Sequence, residues 1–549
     1  MTTLTEPASP VAQGFTPKLV SVLREGYHLR HLRADALAGL TVAIVALPLS
    51  MAIAIASGTT PDRGLYAAII GGFIVSALGG SRFQIGGPAG AYIVLVSATL
   101  ARHGLEGFLL ASLISGFILL LLGALRLGSF IRFIPYPVTV GFTAGIGVII
   151  FASQLHDLFG LKLAGPEPGE IAHKLVALGE AVGTANPQAM GIAGFTILAI
   201  VLLRRFAPRW PALMIAVAAA ALLAGVLNLP VETIGTRFGE LPRGLPLPAL
   251  PSFSPDLALA VLPDAMAFAL LGAIESLLSA VVADGMTGRR HRSNGELVAQ
   301  GFANIASALF GGITVTGTIA RTATNIRAGA HGPVAGMLHA VFLLVFMLVA
   351  APLASFIPLA ALAGILAVVA WGMIERHAVT GLVRGSRGDG LVLGATFVLT
   401  VLVDVMTGIA AGVALAALTF MVRTGQATRL EPEQSAPDQD VAVYSLSGAV
   451  FFGTAARIGI LLDSLVQGQT LIVDCTRVTL LDSSGARVLH DAIARAARAG
   501  GRLIIAGLDP ASQRLVLLQG HGASPAAFAS GLAQARTMAA QEASQPLPV

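Results

Sequence analysis

The sequence predicts an α-helical membrane protein that crosses the bilayer many times and ends in a smaller α/β domain. Of its 549 residues, 55% are hydrophobic and only 11% are charged, whereas roughly 25% are charged in a typical soluble protein. Apolar stretches near or above the ~18 residues that cross a bilayer recur between residues 35 and 424. After residue 440, short apolar strands alternate with helical stretches.

Fourteen segments are predicted to cross or enter the membrane, and several of them are short or broken. Their approximate cores are residues 35–56, 63–79, 88–101, 105–124, 135–155, 189–203, 211–229, 258–283, 295–310, 316–327, 333–351, 355–372, 390–404 and 405–422.

The distribution of basic residues predicts the orientation of these segments. If residues 1–34 form a cytoplasmic segment, alternate loops carry an excess of arginine, as the positive-inside rule requires. The arginines of the predicted inner loops are Arg126, Arg132, Arg204, Arg205, Arg209, Arg289, Arg290, Arg292, Arg376, Arg384, Arg387 and Arg423. The acids of the predicted outer loops are Glu167, Glu170, Glu232 and Glu240. We therefore expect a protein of the bacterial inner membrane with both termini in the cytoplasm. The basic residues that give the net charge of +5 lie in these loops, so the charge does not indicate a nucleic-acid partner.

The residues that support catalysis or metal binding are sparse. Cys475 is the only cysteine, so a disulfide framework is excluded, and we expect this thiol to be buried in a strand. His156, His173 and His339 form no ligand pair in the predicted topology. We therefore expect no enzyme activity, no metal and no cofactor, with a proton or sodium gradient as the energy source.

The end of the chain differs in character from the rest. Residues 35–424 form the predicted transmembrane domain, and the polar, Pro-flanked stretch 425–440 is typical of a linker. Residues 441–549 form the predicted α/β domain, with strands at 470–476 and 501–508 and a helix at 485–499.

The two halves of the membrane region share an internal repeat. Asp35-Ala36 opens the first segment and Asp264-Ala265 opens the eighth, and a glycine pair follows in each half, at Gly86 and at Gly311. Matched, Gly/Pro-interrupted segments at corresponding places are the best sequence indication of a transporter's substrate site. An odd number of crossings in each half would invert one half relative to the other.

Each glycine pair precedes a short helix that is predicted to begin inside the membrane. The first backbone N–H groups of such a helix lack partners and carry roughly half a positive charge, so two facing ends would bind an anion. Pro88 suits a first turn because it has no N–H group. Alternatively, these residues only kink two packed helices, but the match between the halves favours the half-helices.

A carboxylate, Glu275, stands in the apolar stretch "FALLGAIESLLSAVVA" (268–283). Arg321 shares one helical face with Thr318, Thr322 and Asn325 on the second half-helix, and it is the predicted partner of Glu275. A charge at mid-bilayer costs about 2.5–3.5 kcal/mol on insertion scales and almost always faces a cavity or a partner.

Two roles are open to Glu275. It is either a permanent counter-ion of Arg321 or a group that binds and releases a proton during transport, because burial disfavours its charged form. Gly272 and Ser279 share the helical face of Glu275. We expect Ser279 to take part in proton coupling together with Glu275. A cation site made with Ser279 is a further alternative.

Several stretches together resemble the SulP (sulfate permease) family of anion transporters, whose C-terminal part is a STAS domain. They are "ALPLSMAIA" (46–54), "GGPAGAY" (86–92), the Glu275 segment, "GGITVTGTIARTATNIRAGA" (311–330) and "LLDSSGARVL" (480–489). Within the family, the second-half motifs look closest to the DauA-type proton-coupled transporters of four-carbon dicarboxylates.

This resemblance implies a seven-plus-seven inverted repeat with core and gate domains, a homodimer within membrane lipid, and elevator-type alternating access. It also implies a cavity between the third and tenth helices with contributions from the first and eighth. The residues it assigns to the substrate are Leu47, Leu49, Ser50, Met51, Pro88, Ala89, Gly90, Tyr92, Thr318, Ala320 and Arg321.

The substrate prediction depends on one departure from the family pattern. Leu49 stands where sulfate-type members often have glutamine, and it cannot donate a hydrogen bond to an oxyanion. The sequence therefore favours symport of a dicarboxylate such as succinate or fumarate. The alternatives are a sulfate or bicarbonate transporter or exchanger, proton- or sodium-coupled, and, more remotely, a membrane-anchored STAS sensor.

The STAS resemblance also marks Ser484. In related anti-sigma-factor antagonists the corresponding serine is phosphorylated, and a phosphate at a helix N-terminus is physically tolerable. The alternative is that Ser483 or Ser484 only caps a helix that begins near Ala486. A cytoplasmic protein partner for this domain is plausible, but the sequence does not name one.

Overall fold

Apolar helices form the described part of the chain before Val413, and a mixed β-sheet organises the part after it. The computed structural model describes residues 14–129, 134–165, 171–208, 210–433, 441–465, 469–520 and 527–543. The chain divides into two units, Met1–Val413 and Ala414–Val549. Four residues used in the topology prediction lie outside the described residues, namely Arg132, Glu167, Glu170 and Arg209.

The helices of the two halves follow the predicted order. Those of the first half are α1 Lys18–Arg24, α2 Leu29–Ala56, α3 Pro61–Tyr66, α4 Gly72–Leu78, α5 Ile93–Ala124, α6 Tyr136–Phe159, α7 Ile171–Glu180, α8 Pro187–Phe206, α9 Ala212–Val226 and α10 Ile234–Phe238. Those of the second half are α11 Pro255–Thr287, α12 Ser293–Leu309, α13 Ile319–Arg327, α14 Val334–Ala354, α15 Leu359–Met373, α16 Arg376–Gly385, α17 Arg387–Leu402 and α18 Val405–Ala427.

Each of the fourteen predicted segments coincides with helix in the described residues, which confirms the polytopic helical fold. A π-helical turn joins α3 to α4, and Gly104 breaks α5 into the predicted third and fourth segments. Within the same residues, eight helices are long and apolar enough to cross a membrane. In the membrane unit, the sequence analysis did not predict four further helices, α1, α7, α10 and α16.

The tenth segment is too short to cross a membrane alone. Helix α13 has nine residues, so it rises only about 14 Å, against about 30 Å for the hydrocarbon core. The preceding residues are not helical, and the two-residue strand β2, Thr316–Gly317, lies in this stretch. The prediction of a half-helix in the second half is therefore confirmed.

Two very short strands join the halves of the membrane unit. Strand β1, Gly86–Gly87, pairs antiparallel with β2, so that Gly86 faces Gly317 and Gly87 faces Thr316. The antiparallel direction agrees with an inverted repeat. A Cβ atom at Gly86 would lie 2.7 Å from the side chain of Val75, so β1 packs too closely on α4 for a larger residue.

The C-terminal unit contains a five-stranded sheet in the order β3-β4-β5-β6-β7. Strand β3 is antiparallel to β4, and the other neighbouring strands are parallel. Its strands are β3 Arg429–Pro432, β4 Val441–Val450, β5 Thr470–Leu481, β6 Arg502–Ala506 and β7 Ala527–Ala529, and its helices are α19 Phe452–Leu465, α20 Ser483–Arg498, α21 Pro510–Leu517 and α22 Leu532–Ala543. The predicted strands 470–476 and 501–508 and the helix 485–499 are confirmed.

Three details of this unit bear on the sequence analysis. Cys475 is buried in β5, and burial raises the pKa of its thiol to about 12. The first residues of the predicted linker 425–440 are not a linker, because α18 continues to Ala427 and β3 pairs with β4. Residues 434–440 lie outside the described residues. The predicted cap also differs: α20 begins at Ser483, and the Asp482 carboxylate accepts the hydrogen bond from Gly485 N.

Candidate anion-binding site

The helix starts that follow β1 and β2 lie beside each other because these two strands are paired. A 3-10 turn, Gly90–Tyr92, leads into α5, and Thr318 immediately precedes α13. No side chain caps either start. The N–H groups of a first turn have no partner within their own helix, so both ends present positive partial charge to the same region.

Arg321 adds a full positive charge to this region. Its side chain is 1% exposed, and its Nη2 group donates to Ser50 Oγ at 3.2 Å and to the Pro88 carbonyl at 3.1 Å. Its Nε and Nη1 groups have no hydrogen-bond partner among the described residues. A guanidinium carries its charge at any working pH, so a buried cation here has donors left over.

The position of Arg321 in its helix makes this arrangement unfavourable without an anion. It is the third residue of α13, and a cation near a helix N-terminus opposes the helix dipole, by roughly 0.3–1 kcal/mol at exposed sites. A buried donor without an acceptor costs about 1–3 kcal/mol. An anion placed between the helix starts would relieve both terms.

The remaining residues of the predicted face anchor α13 to the first half of the chain. Thr322 Oγ1 accepts a hydrogen bond from Ile85 N at 3.1 Å, and Asn325 Nδ2 donates to the Phe83 carbonyl at 2.9 Å. Both side chains are buried. The face therefore fixes the two half-helices relative to each other and directs Arg321 towards Pro88.

Glu275 lies on the stretch of α11 that packs on both half-helices. Ser276 Oγ accepts a hydrogen bond from Gln84 Nε2 at 2.7 Å, and Ser279 Oγ lies 3.1 Å from Thr322 Oγ1.

The predicted partner of Glu275 is not within reach of an ion pair. No N–O contact of 4.0 Å or less joins Glu275 to Arg321, although both residues are described. The structure therefore does not contain the permanent counter-ion pair that the sequence left open.

The other residues assigned by resemblance occupy three kinds of place. Ala320 is exposed, Leu47, Gly90 and Thr318 are partly exposed, and the buried ones are Leu49, Ser50, Met51, Pro88, Ala89 and Tyr92. Tyr92 is not directed into an open cavity, because its hydroxyl donates to the Phe268 carbonyl at 2.8 Å. Leu49 is 8% exposed, so it is buried like Ser50 and Arg321 beside it.

Gly90 marks the side on which the site meets the rest of the membrane unit. A Cβ atom at Gly90 would lie 3.4 Å from Ile150 of α6 and 3.7 Å from Met373 of α15. The start of the third segment therefore faces two helices that bring none of the polar groups described above.

Sequence reasoning missed a second buried carboxylate and its neighbours. Glu296 of α12 is 0% exposed, and Gln84, Gln300 and Asn304 are almost equally buried. The signal was present, since Glu296, Gln300 and Asn304 recur every four residues in a segment that is otherwise mostly small or apolar.

Ser484 lies in the other unit and takes no part in this site. It is partly buried in the first turn of α20, whose cap is Asp482. Since Asp482 also accepts a hydrogen bond from Phe452 N at 2.9 Å, the serine is not needed as a cap. Its phosphorylation stays a prediction.

Comparison with known proteins identifies both parts of the chain. The model of the Sulfate permease family matches residues 32–396, and the model of the STAS domain matches residues 435–529. The "Putative sulfate transporter YvdB" of Bacillus subtilis is 41% identical over 502 residues, which are 90% of this chain and 94% of that protein. The bicarbonate transporter BicA of Synechocystis is 33% identical over 524 residues, 89% and 90% of the two chains.

A solved structure supports the fold over nearly the whole length. The murine Slc26a9 anion transporter in its inward-facing state aligns with a TM-score of 0.86 and covers 98% of this chain and 97% of its own. Its sequence is only 19% identical, so this likeness concerns the fold alone.

Replacing Gly87 by alanine tests whether the guanidinium position matters. A Cβ atom there would lie 2.2 Å from Arg321 Nη1, and the φ angle of +154° disfavours alanine. We expect the apparent affinity for the transported anion to fall by about tenfold or more. Concentration-dependent uptake into proteoliposomes measures this change.

Gly58→Ala is the matched control for backbone strain. Gly58 has a φ angle of +83°, and a Cβ atom there would meet nothing within 4 Å. Its affinity is expected to stay within about twofold of the parent protein. Equal losses of affinity in both variants would mean that strain, and not displacement of the guanidinium, explains the effect.

Proposed function

The chain belongs to the sulfate permease family of anion transporters, and we propose that it carries a small inorganic oxyanion, sulfate or bicarbonate, across the bacterial plasma membrane by proton-coupled secondary transport. The observation that carries this proposal is the buried Arg321 guanidinium with two unused donor groups beside two uncapped helix starts.

The charges of the site support a compact anion. Arg321 contributes one positive charge and the two helix starts roughly half a charge each, so the site holds roughly +2 in total. Ionised Glu275 reduces this to roughly +1, which suits a monovalent anion. When Glu275 binds a proton, the full charge is available to a divalent anion such as sulfate.

This charge balance couples the proton to the anion. Entry of an anion beside an ionised Glu275 is opposed by repulsion between the two negative charges, and a proton on Glu275 removes that repulsion. Anion and proton then occupy the site together, and neither is favoured alone. We propose Glu275 as the proton-binding group, with Ser279 as a residue that holds α11 against α13.

A dicarboxylate substrate has less support. The relatives described above are named as sulfate or bicarbonate transporters, and Leu49, on which the preference depended, is buried. A four-carbon dicarboxylate would present two separated charges. Among the described residues, Arg321 is the buried cation with unused donors, since Arg82 is paired with Glu25 and the His331 carbonyl.

Sodium coupling is the second candidate for the energy source, on the same anion site. Hard cations bind to several oxygen atoms at once. The Ser279 hydroxyl, which the sequence offered for this purpose, is buried and hydrogen-bonded to Thr322. Protons therefore remain the preferred coupling ion.

The family membership also supports proposals about the working protein. We propose that it acts as a homodimer with both termini in the cytoplasm. In each subunit, the helices that carry the two half-helices move as an elevator past the helices that Gly90 faces.

Uptake into proteoliposomes tests the substrate and the coupling ion together. Labelled sulfate, bicarbonate and succinate are offered in turn, under an inward proton gradient and, separately, under an inward sodium gradient. We expect uptake of sulfate or bicarbonate under the proton gradient. Uptake of succinate alone would contradict the oxyanion proposal, and uptake driven only by sodium would contradict proton coupling.

Glu275→Gln separates coupling from binding. Glutamine keeps the shape of the side chain but cannot exchange a proton, so we expect proton-driven accumulation to fall to background while anion exchange continues. Comparison of accumulation and exchange in the same vesicles measures this split. Glu240→Gln, in a predicted outer loop, is the control and is expected to behave as the parent protein. Uptake that kept its pH dependence in Glu275→Gln would reject the proposed role.

A further inference from the structure

One buried face of α12 carries four polar side chains that are not among the predicted site residues. Glu296, Gln300, Asn304 and Ser307 follow one another at intervals of three or four residues, so they share a side of the helix. Each is at most 1% exposed. A buried carboxylate in a membrane helix is costly, and such residues usually mark function.

The carboxylate of Glu296 holds the chain just before the first half-helix. Its Oε2 atom accepts a hydrogen bond from Ser81 N at 2.9 Å, and its Oε1 atom accepts from Gln84 Nε2 at 2.9 Å and from Gln300 Nε2 at 3.2 Å. Gln84 Nε2 also donates to Ser276 Oγ on α11. Glu296 therefore connects α12, α11 and the extended stretch that leads into β1.

The cations near this stretch are engaged elsewhere. Arg82 donates to Glu25 at 2.6 Å and to the His331 carbonyl at 3.0 Å. No arginine, lysine or histidine nitrogen among the described residues lies within 4.0 Å of the Glu296 carboxylate. Among the described residues, neutral donors alone satisfy it.

The other end of the same face holds the chain before the second half-helix. Asn304 Nδ2 donates to the Val315 carbonyl at 2.8 Å, and Asn304 Oδ1 accepts from Val315 N at 2.8 Å. Ser307 Oγ donates to the Ile313 carbonyl at 2.7 Å. One rigid helix therefore fixes both stretches that end in the paired strands β1 and β2.

The amide of Gln84 lies directly behind this strand pair. A Cβ atom at Gly317 would fall 1.8 Å from Gln84 Nε2, so the side chain passes beneath β2 on its way to Ser276 and Glu296. A shift of this amide towards β2 would therefore displace the strand pair, because the side chain already touches Gly317.

We propose that the Gln84–Glu296 pair is a positioning device, which sets the separation of the two helix starts and thereby the affinity for the anion. This positioning role rests on the proposed function only for the identity of the anion. Within the described residues, neither side chain forms a hydrogen bond with the Arg321 guanidinium. The pair therefore acts through β1 and β2. Asn304 performs the corresponding task for the second half.

Gln84→Glu perturbs the pair without removing volume. It places two carboxylates at hydrogen-bond distance, and such a pair cannot be fully ionised without strong repulsion. We expect the KM for labelled sulfate or bicarbonate, whichever the parent protein takes up, to rise by about tenfold or more. The maximal rate is expected to change much less.

The exchanged pair, Gln84→Glu with Glu296→Gln, distinguishes positioning from simple damage. It restores one amide beside one carboxylate, so we expect the KM to return to within about threefold of the parent value. Gln154→Glu is the matched control, because Gln154 is equally buried in α6 and its amide bonds only the adjacent Ser153. It is expected to leave the KM unchanged.

Hydrogen exchange of the full chain provides a readout that does not need transport. In Gln84→Glu, backbone amides of residues 80–93 and 313–320 are expected to exchange faster, and the exchanged pair is expected to reverse this. If the parent protein takes up neither anion, the proposed function fails and hydrogen exchange alone decides the positioning role. A normal KM with normal exchange in Gln84→Glu would overturn the proposal, and so would an exchanged pair that regains stability and exchange protection but not affinity.

Discussion

The structure depends on holding three positively charged groups, one guanidinium and two helix starts, together inside a membrane protein. The starts of α5 and α13 and the guanidinium of Arg321 lie at one place, and like charges repel most strongly where water is scarce. A permanent acidic partner would cancel the field that attracts an anion. The protein instead holds these groups with backbone pairing and neutral side chains, so the positive charge stays available.

This constraint explains why the site is made mostly of backbone. The strand pair can pack against Val75, Arg321 and Gln84 only because Gly86, Gly87 and Gly317 have no side chains. The neutral hydrogen bonds of Thr322, Asn325 and Asn304 fix the strands at both sides. A site of this kind recognises charge and size more than chemical detail. Relatives named for sulfate and for bicarbonate are therefore compatible with one scaffold.

Composition and periodicity predicted much of the fold and part of the site. The fourteen segments, the half-helix at Thr318 and the buried face of Arg321 follow from apolar length and helical spacing, which are local properties of the sequence. Pairing of β1 with β2 was not predictable, because a two-residue strand has no sequence pattern of its own. The partners of Glu275 and Arg321 were also beyond reach, since contact between segments far apart in the chain depends on packing. Glu296 had a visible signal, the four-residue spacing that it shares with Gln300 and Asn304.

The most direct test of the central claim is to locate a bound anion. Selenate has the shape and charge of sulfate, and its anomalous scattering identifies it in a crystal of the full chain. We expect a selenium peak between the starts of α5 and α13, with the selenate oxygens within hydrogen-bond distance of Arg321 Nε and Nη1. A selenate bound elsewhere, with Arg321 Nε and Nη1 still without hydrogen-bond partners, would contradict an anion site at this place.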